Sequence, residues 1–531
     1  MNAFDIATSR HTSAPFAIAS ECATPCDEAV PHTPANHSRA AFSKPCITPL
    51  ALALALALAV GTSVAADRAS GSNTATPRPD GSILWVVENC NDSGAGSLRD
   101  AATHANHGDG IDLGSLACST ISVTSGAMTL HDVELVGPGA AQLEINGTGN
   151  QGRRIFNHVG AGGHLDISGV TISGATYVSN ASLGGGCLRS DGGNLNITDS
   201  VFRSCAVVTP VGQDGYARGG AIAVYGDGDV LLQRTTIASN IARTDHQIAA
   251  GGGLYAQGNV FIYKSTITNN WVSSAAPGSG LAGGGGLLTN GSAWIEDSTL
   301  DGNLASRDGG AAWVAKGGVL VRSTVSNNIA TTGTSGVVML GRETSPVFII
   351  SSTFSGNVSE QSAQEFSGAL YVNAADTTVT NCTITGNSET NQVSMKFGAG
   401  IVFGPGVVNA SMTSTIAAGN YFDDGKPPFA ADDIDAPASL TILGDTNIVG
   451  WTHRPVPADT IFESQPGLGP LQDNGGPTRT HLPLSNSPVI DHGAAHSATI
   501  DQRGLPRVVG AAADIGAVET NDDGIFADGF E

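Results

Sequence analysis

The sequence predicts an all-β fold, a right-handed parallel β-helix whose short strands stack into a solenoid, with a short capping helix at its N-terminal end. Three observations predict it: a repeated Ser/Thr-x-apolar-x-x-Asn pattern, a glycine cluster before each copy, and a low aromatic content. The 531 residues include 70 Gly but only 16 Phe, 7 Tyr and 5 Trp. Such a chain cannot fill several dense aromatic cores, but Val, Ile, Leu and Ala can fill a narrow interior.

The repeated pattern sets the period of the coils. Its copies end at asparagines 25 to 33 residues apart: Asn240, Asn270, Asn303, Asn328, Asn357 and Asn387. A period in this range is typical of a solenoid or a propeller. A WD-type propeller is the competing fold, but its blades need about 40 or more residues. The shorter copies therefore favour the solenoid.

Stacked parallel strands place equivalent residues of successive coils above one another, about 4.8 Å apart. The apolar residues of the copies are then expected in one internal column: Ile237, Ile267, Leu300, Val325, Phe354 and Ile384. The asparagines are expected in a second column at a tight turn, where their amides bond to each other and to the backbone. The glycine clusters suit positions of positive φ or close backbone approach.

A charged column precedes the Ser/Thr position of the copies. Stacking places Asp199 beside Arg234, and Asp297 between Lys264 and Arg322. Opposite charges on neighbouring strands stabilise a sheet modestly. We interpret this column as structural and not as a site.

The N-terminal segment indicates export. An apolar run of about twelve residues at 49–60 follows Arg39 and Lys44 and precedes the small residues 64–66. This arrangement is typical of a secretory signal, and the run is too short to span a bilayer stably. We expect cleavage after Ala66 and no transmembrane helix in the mature chain. The residues ahead of the run are either a true extension or the product of a misassigned start.

Export also affects what we expect of the cysteines, because an exported chain meets an oxidising environment in which disulfides form. Cys90–Cys118 and Cys187–Cys205 are the predicted disulfides. Cys382 remains; it occupies a column otherwise held by Ser or Thr, so we expect a small buried thiol.

The net charge of −23 disfavours nucleic acid as a partner. It permits weak cation binding. We therefore predict no cofactor, and consider only a structural calcium ion.

Two end segments resemble a known family. Residues 85–119 contain Gly96-Ser97-Leu98-Arg99-Asp100-Ala101 and resemble the N-terminal module of bacterial CSLREA-type surface proteins, with the cysteine displaced to Cys90. Residues 468–518, with LQDNGGPTRTHLPLSNSPVIDHG and DQRGLPRVVGAAADIGAV, are similar to the choice-of-anchor Q region. Between them, Gly219-Gly220-Ala221-Ile222 and Phe354–Asn357 resemble the repeats of polymorphic outer-membrane proteins, which are adhesins, while most other copies have Ile, Leu or Val in place of the Phe. The resemblance implies a right-handed parallel β-helix on a bacterial surface.

Both ends of a solenoid need caps, because they expose unpaired backbone and apolar interior. Ser97–Asn106 has helical spacing, with Leu98, Ala101, Ala102 and Ala105 on one side, and is predicted to cover the first coil. Residues 421–519 are expected to finish and seal the other end. The predicted organisation is a signal peptide with an extension (1–66), a linker (67–82), an N-terminal cap with first coils (83–150), repeats (151–420), last coils with the choice-of-anchor Q-like module (421–519) and a flexible acidic tail (520–531).

Two classes of function remain. The favoured one is a non-catalytic, adhesin-like surface or secreted protein that binds glycans or proteins through loops on one edge, within 205–219, 240–251 and 270–283. The alternative is a polysaccharide lyase or glycoside hydrolase of the pectin-lyase-like class. A hydrolase needs two carboxylates about 5–9.5 Å apart. A lyase typically needs a carboxylate cluster for calcium and an Arg or Lys base.

The acidic groups are interpreted as structural or solvated, so no catalytic, cofactor-binding or metal-binding residue is assigned. Asp227 and Asp229 lie in Gly-Asp turns, and Asp297, Asp301 and Asp308 are expected on an exposed acidic edge. The remaining groups are an acidic loop (Asp423, Asp424, Asp432, Asp433 and Asp435) and a packing cluster in the C-terminal module (Asp491, His492, Asp501 and Arg503). HExxH, GxSxG and P-loop patterns are absent from the sequence, and we identify no dinucleotide-binding fingerprint in it.

Overall fold

The computed structural model describes residues 73–520 except 151, 161, 179–183, 211, 214, 246, 275–281, 342–344, 361–366, 391–397, 424–429 and 432. The predicted signal peptide and nearly all of the acidic tail lie outside the described residues. Within the described part, Leu98–His104 is the only α-helix and the other regular elements are β-strands. The all-β prediction is confirmed.

Four stacked sheets run along the solenoid, and a typical coil contributes one strand to sheet 4, then to sheets 1, 2 and 3. Sheet 1 contains Thr74–Pro77, Ile83–Val86, Gly110–Asp112, Glu134–Val136, His164–Ser168, Asn194–Thr198, Val230–Gln233, Val260–Tyr263, Ala293–Glu296, Gly318–Val321, Val347–Ile350, Asp376–Thr380, Asn409–Thr413 and Ile442–Leu443. Sheet 2 contains Thr120–Ser122, Glu144–Asn146, Thr171–Ser173, Val201–Arg203, Thr236–Ala238, Thr266–Thr268, Thr299–Asp301, Thr324–Ser326, Thr353–Ser355, Thr383–Thr385, Ile416–Ala417, Ile448–Val449 and Ile461–Phe462.

The other two main sheets complete each coil. Sheet 3 contains Thr176–Val178, Ala206–Val208, Ile241–Thr244, Trp271–Ser274, Leu304–Ala305, Ile329–Ala330, Val358–Ser359, Ser388–Thr390, Tyr421–Asp423 and Ala430–Ala431. Sheet 4 contains Met128–Leu130, Phe156–Val159, Leu188–Asp191, Ile222–Tyr225, Leu254–Ala256, Leu287–Thr289, Ala312–Val314, Val337–Leu340, Leu370–Asn373, Ile401–Phe403 and Ile434–Asp435.

The predicted internal column lies in sheet 2. Its consecutive members pair in parallel, each with the residue one coil further on, and all are fully buried: Ile237, Ile267, Leu300, Val325, Phe354 and Ile384. This pairing makes the chain a parallel β-helix.

The asparagine ladder forms as predicted. The side-chain amide of Asn240 donates to Oδ1 of Asn270 at 2.8 Å and to the carbonyl of Phe202 in the preceding coil at 3.1 Å. The amide-to-amide bonds continue through the buried Asn303, Asn328, Asn357, Asn387 and Asn420. At the N-terminal end of the asparagine ladder, the backbone N–H of Cys205 donates to Asn240 Oδ1 at 2.9 Å.

The glycine clusters serve both expected purposes. Gly219 and Gly251 have φ of +61° and +63°, values that residues with a side chain rarely adopt. Their neighbour Gly252 passes the backbone of sheet 3 so closely that a Cβ would lie 2.6 Å from the carbonyl carbon of Trp271. A larger residue cannot occupy this position without displacing one of the two chains.

The charged column has a backbone property that the charge pattern does not show. Asp199, Arg234, Lys264, Asp297 and Arg322 all have φ between 46° and 49°. They are the turn residues between sheets 1 and 2. Arg234 Nε lies 2.6 Å from Asp199 Oδ1, and Arg322 Nε lies 2.8 Å from Asp297 Oδ1. Lys264, expected to pair with Asp297, forms no ion pair within the described part of the chain.

Both predicted disulfides are present, Cys90–Cys118 and Cys187–Cys205, and Cys382 is a free, buried thiol. The capping helix is also confirmed. Ser97 Oγ accepts from the backbone N–H of Asp100 at 3.2 Å.

The helix buries Leu98, Ala101 and Ala102 and packs against Gly110–Asp112 of sheet 1 and Met128–Leu130 of sheet 4. Ahead of it, Thr74–Pro77 pairs antiparallel with Ile83–Val86. The segment interpreted as a linker (67–82) therefore contains an edge strand.

Part of the C-terminal region, which was expected to finish and seal the end, lies elsewhere. Strands up to Ile461–Phe462 complete the last coil, but a hairpin of Leu468–Gln472 and Thr480–Pro483 and the residues up to 519 fold back along the outer face of sheet 2. Thr324 Oγ1 donates to the carbonyl of Arg479 at 2.6 Å, and Thr383 Oγ1 accepts from the N–H of Ala517 at 3.0 Å. Outward hydroxyls of sheet 2 thus bind the backbone of the module.

Candidate functional site

The outer face of sheet 1 carries an apolar surface across five successive coils. Parallel pairing aligns the outward residues Leu231, Phe261, Trp294, Val319 and Phe348 in one row. A second outward row adds Tyr263, Val321 and Ile350, with the charged Glu296 between Tyr263 and Val321. We call the eight residues other than Glu296 the aromatic strip. They are partly exposed, and Trp294 has 39% of its surface exposed.

The strip arises because these strands are apolar on both faces. In Val260–Tyr263, Val260 and Ile262 are fully buried in the interior, while Phe261 and Tyr263 point outward. A sheet with one solvated face normally alternates apolar and polar residues. Large contiguous apolar patches on soluble proteins mark interaction sites, so the strip is the main candidate for a binding surface.

Polar groups at one rim hold the tryptophan. Trp294 Nε1 donates to Glu296 Oε2 at 2.9 Å, and the guanidinium of Arg322 bonds to Glu296 and Asp297. Burial of Arg322 opposes its charge, but the two carboxylates outweigh burial and raise its pKa. The rim is therefore charged, and one hydrogen bond links the side chain of Trp294 to it.

The loops predicted to bind a ligand do leave the solenoid along one edge. Their described return segments, Ala217–Arg218, Ala249–Ala250 and Ala282–Gly283, pair with one another as a small parallel sheet 5. Small residues of sheet 3, Val207, Ala242 and Val272, pack against this part of the loops. The loop bases are therefore ordered, while residues 211, 214, 246 and 275–281 lie outside the described residues.

The carboxylates weighed for catalysis are engaged separately. Asp229 Oδ1 accepts from Asn259 Nδ2 at 3.0 Å. Asp301 accepts from Ser326 Oγ at 2.6 Å and from Asn327 Nδ2 at 2.8 Å, and Asp297 pairs with Arg322. Each of these side chains thus has partners of its own within the fold.

Two of the acidic residues are buried, which corrects the sequence interpretation. Asp308, expected on an exposed edge, is only 5% exposed, and burial raises its pKa to about 7. Asp433, expected in an acidic loop, is fully buried at the end of the asparagine ladder. Its neighbour Asp435 pairs with Arg454 Nε at 2.9 Å, and Asp424 and Asp432 lie outside the described residues.

The acidic residues of the C-terminal module have the expected packing role. Asp491 Oδ1 accepts from the backbone N–H groups of Ala511 and Ala512 at 2.9 and 3.0 Å. Asp501 is fully buried and pairs with Arg503 at 2.9 Å. These bonds hold the module together.

One arrangement with the residue types of a nucleophilic triad was not recognised in the sequence. His158 Nδ1 lies 2.7 Å from Ser190 Oγ, and His158 Nε2 lies 2.9 Å from Asp132 Oδ1. Both Ser190 and His158 are 0% exposed, and burial lowers the pKa of His158. With no exposed nucleophile, the cluster is structural. Its members come from three successive coils, so no local motif could reveal it.

Among the described residues, no group of three or more His, Cys, Asp or Glu side chains has a geometry suited to a metal ion. The single α-helix of the described part is not long and apolar enough to cross a membrane.

Comparisons with known proteins give one structural similarity. No family model matches the chain, and no curated protein matches it. Among solved structures, the chain is similar to one described as the crystal structure of pectate lyase Pel9A, with 14% identity, a TM-score of 0.39, and coverage of 83% of this chain and 98% of that one. We infer the parallel β-helix from the strand pairing, and this similarity assigns no activity to the chain.

Proposed function

We propose that this protein is an exported, non-catalytic β-helix that binds glycans through the aromatic strip. The observation that carries the proposal is the alignment of Phe261, Trp294 and Phe348 along one outward face, with Tyr263 beside them. Aromatic side chains offer a large apolar face, and Tyr and Trp add a polar group. Such faces stack on the C–H faces of sugar rings, and the charged rim supplies partners for hydroxyl groups.

The geometry of the strip favours a polymer over a compact ligand. Successive coils repeat at about 4.8 Å, so the strip presents similar contacts at a regular interval along the solenoid axis. A glycan chain lying along this axis would meet one side chain of the row per coil. We therefore favour a glycan over a protein ligand.

Several features support export. The predicted secretory signal and the two disulfides both fit an oxidising compartment. The resemblance of both ends to CSLREA-type and choice-of-anchor Q proteins supports a place on a bacterial surface, which remains part of the proposal.

The binding test uses one substitution and its matched control. Trp294→Ala should weaken retention on neutral insoluble polysaccharides about tenfold or more, because a central aromatic contact of an interface is lost. Trp451→Ala removes another exposed tryptophan, 47% exposed and away from the strip, and should leave retention unchanged. Equal retention of both variants and the parent chain would exclude the strip as the site.

The catalytic alternative has its own experiment. The purified chain from residue 67 onward is incubated with acidic polysaccharides, with and without calcium. We expect no new reducing ends and no unsaturated products. Cleavage under either condition would overturn the non-catalytic assignment and favour a lyase or hydrolase.

A further inference from the structure

A second surface collects arginines and tyrosines from sheet 4, from the base of the first loop and from the strand Thr176–Val178 of sheet 3. We call it the arginine–tyrosine cluster, and it consists of Arg154, Arg189, Arg218, Tyr177, Tyr216, Tyr225 and Tyr255. It lies on coils that precede the centre of the aromatic strip, and none of its residues belongs to sheet 1. The chain as a whole has 47 acidic and 24 basic residues, so a local concentration of guanidinium groups is unexpected.

The guanidinium groups lie against aromatic rings. Arg154 Cζ is 3.8 Å from the ring centroid of Tyr177, and Arg189 Cζ is 5.2 Å from that of Tyr225. Arg218 lies near two rings, with its Cζ 4.7 Å from the centroid of Tyr216 and 5.2 Å from that of Tyr255. Cation–π contact of this kind holds a guanidinium in place without neutralising its charge.

The three arginines differ in what else they bind. Arg154 is buried and donates to the carbonyls of Gly184 and Gly185. Arg189 pairs with Asp191 at 2.8 Å. Arg218 is partly exposed and has no ion pair in the described part of the chain.

Arg218 therefore presents a positioned positive charge to a ligand. Tyr216, next to it and also partly exposed, offers a flat apolar face at the same place.

We propose that the arginine–tyrosine cluster binds the carboxylate of a uronate residue in an acidic saccharide. Arg218 is the anion ligand, because a planar guanidinium matches a planar carboxylate with two parallel N–H···O bonds. Tyr216 packs against the sugar ring that carries this carboxylate. This site is separate from the aromatic strip and does not depend on it.

The test is calorimetric titration of the chain from residue 67 onward with trigalacturonate, its methyl ester and inorganic phosphate. The parent chain should bind trigalacturonate and bind the ester and phosphate at least about tenfold more weakly, since each lacks the planar carboxylate. Arg218→Gln should weaken trigalacturonate binding by about tenfold or more. Arg218→Lys keeps the positive charge but lacks the planar group that donates two parallel hydrogen bonds, so its affinity for trigalacturonate should be intermediate.

The matched control is Arg234→Gln, which removes an exposed arginine paired with Asp199 at the edge between sheets 1 and 2. It should bind trigalacturonate like the parent chain, and thermal unfolding should show that all variants are folded. Equal binding of trigalacturonate and its ester, or tighter binding of phosphate, would overturn the proposal. Unchanged affinity in Arg218→Gln would overturn it as well.

The two proposals can fail separately. Trp294→Ala should leave trigalacturonate binding unchanged, and Arg218→Gln should leave retention on neutral polysaccharide unchanged. If trigalacturonate binding is lost in Trp294→Ala and kept in Arg218→Gln, the acidic saccharide binds the strip and the cluster is not a site.

Discussion

Asn420 donates to Oδ1 of Asp433 from both its backbone N–H and its side-chain amide, at 2.9 and 2.8 Å, so a carboxylate ends the asparagine ladder. The other oxygen, Oδ2, accepts from the backbone N–H of Trp451 at 2.7 Å. One buried side chain thus satisfies three donors at the end of the ladder.

Asp433→Ala should lower the free energy of unfolding by about 2–3 kcal/mol or more, because it leaves buried donors without an acceptor. Equilibrium denaturation measures the change. Asp227→Ala, at an exposed turn, is the control and should change stability by less than about 0.5 kcal/mol. Similar losses in the two variants would contradict a special role for Asp433.

Asp308 should make stability depend on pH. Burial raises its pKa to about 7 from 3.8, so the folded chain keeps the proton where the unfolded chain has lost it. Its stabilising contribution is complete below about pH 4 and is lost as the pH rises to about 7. At pH 8, Asp308→Asn should therefore raise the free energy of unfolding by up to about 4 kcal/mol, and the Tm should rise with it. Below about pH 4, the substitution should leave both unchanged.

Asp199→Asn should show the opposite sign in the same measurement. Hydrogen bonds from Arg234 lower the pKa of Asp199, so its contribution is present at neutral pH and lost on acidification. The pair is exposed, and the change in Tm should be small. A rise in Tm at pH 8 in this variant would contradict the assignment.

Cys382 should be unreactive in the folded protein. It is fully buried, and burial raises the pKa of its thiol to about 12. A thiolate-specific reagent should label no thiol in the native chain from residue 67 onward, and one after denaturation without reductant. Labelling of the native chain at neutral pH would show that this coil opens readily.

Gln502 should control docking of the C-terminal module. It is fully buried, accepts from Thr353 Oγ1 at 2.6 Å and donates to Thr324 Oγ1 at 2.9 Å. Gln502→Ala should cost about 1–3 kcal/mol and increase proteolysis and hydrogen exchange within residues 467–519.

The exposed Gln472, on the hairpin of the same module, is the matched control. Gln472→Ala should leave the exchange pattern unchanged. If Gln502→Ala instead speeds exchange throughout the solenoid, the module and the coils unfold as one unit.

The repeat could be predicted from the sequence because the residues that define it lie close together within each copy. A period of 25 to 33 residues, a β-branched strand and an asparagine turn recur in each copy, and both disulfides and the column through Ile237 are present as predicted. The ladder end at Asp433 was missed because it follows Asn420 by only 13 residues and replaces the amide by a carboxylate. Backbone φ at Arg234 is likewise not visible in a charge pattern.

The candidate sites were less predictable for a physical reason. Phe261 and Trp294 are 33 residues apart, and only the pairing register shows that they share an outward row. The fold-back of the module depends on hydrogen bonds between residues such as Thr353 and Gln502, 149 positions apart, which follow no period. Surface chemistry assembled from separate coils carries no local sequence motif.

The docking of the C-terminal module has a consequence for how this chain can change in length. Its polar contacts begin at Asp301 and continue towards the last coil, and each winding touches mainly the windings next to it. A duplicated winding inserted before residue 297 would lengthen the molecule and leave every bond of the module in place. One inserted between Thr324 and Thr383 would separate partners that a single folded segment now spans. The chain can therefore gain coils by duplication on the amino-terminal side of the contacts with the module, but not among the coils that the module contacts.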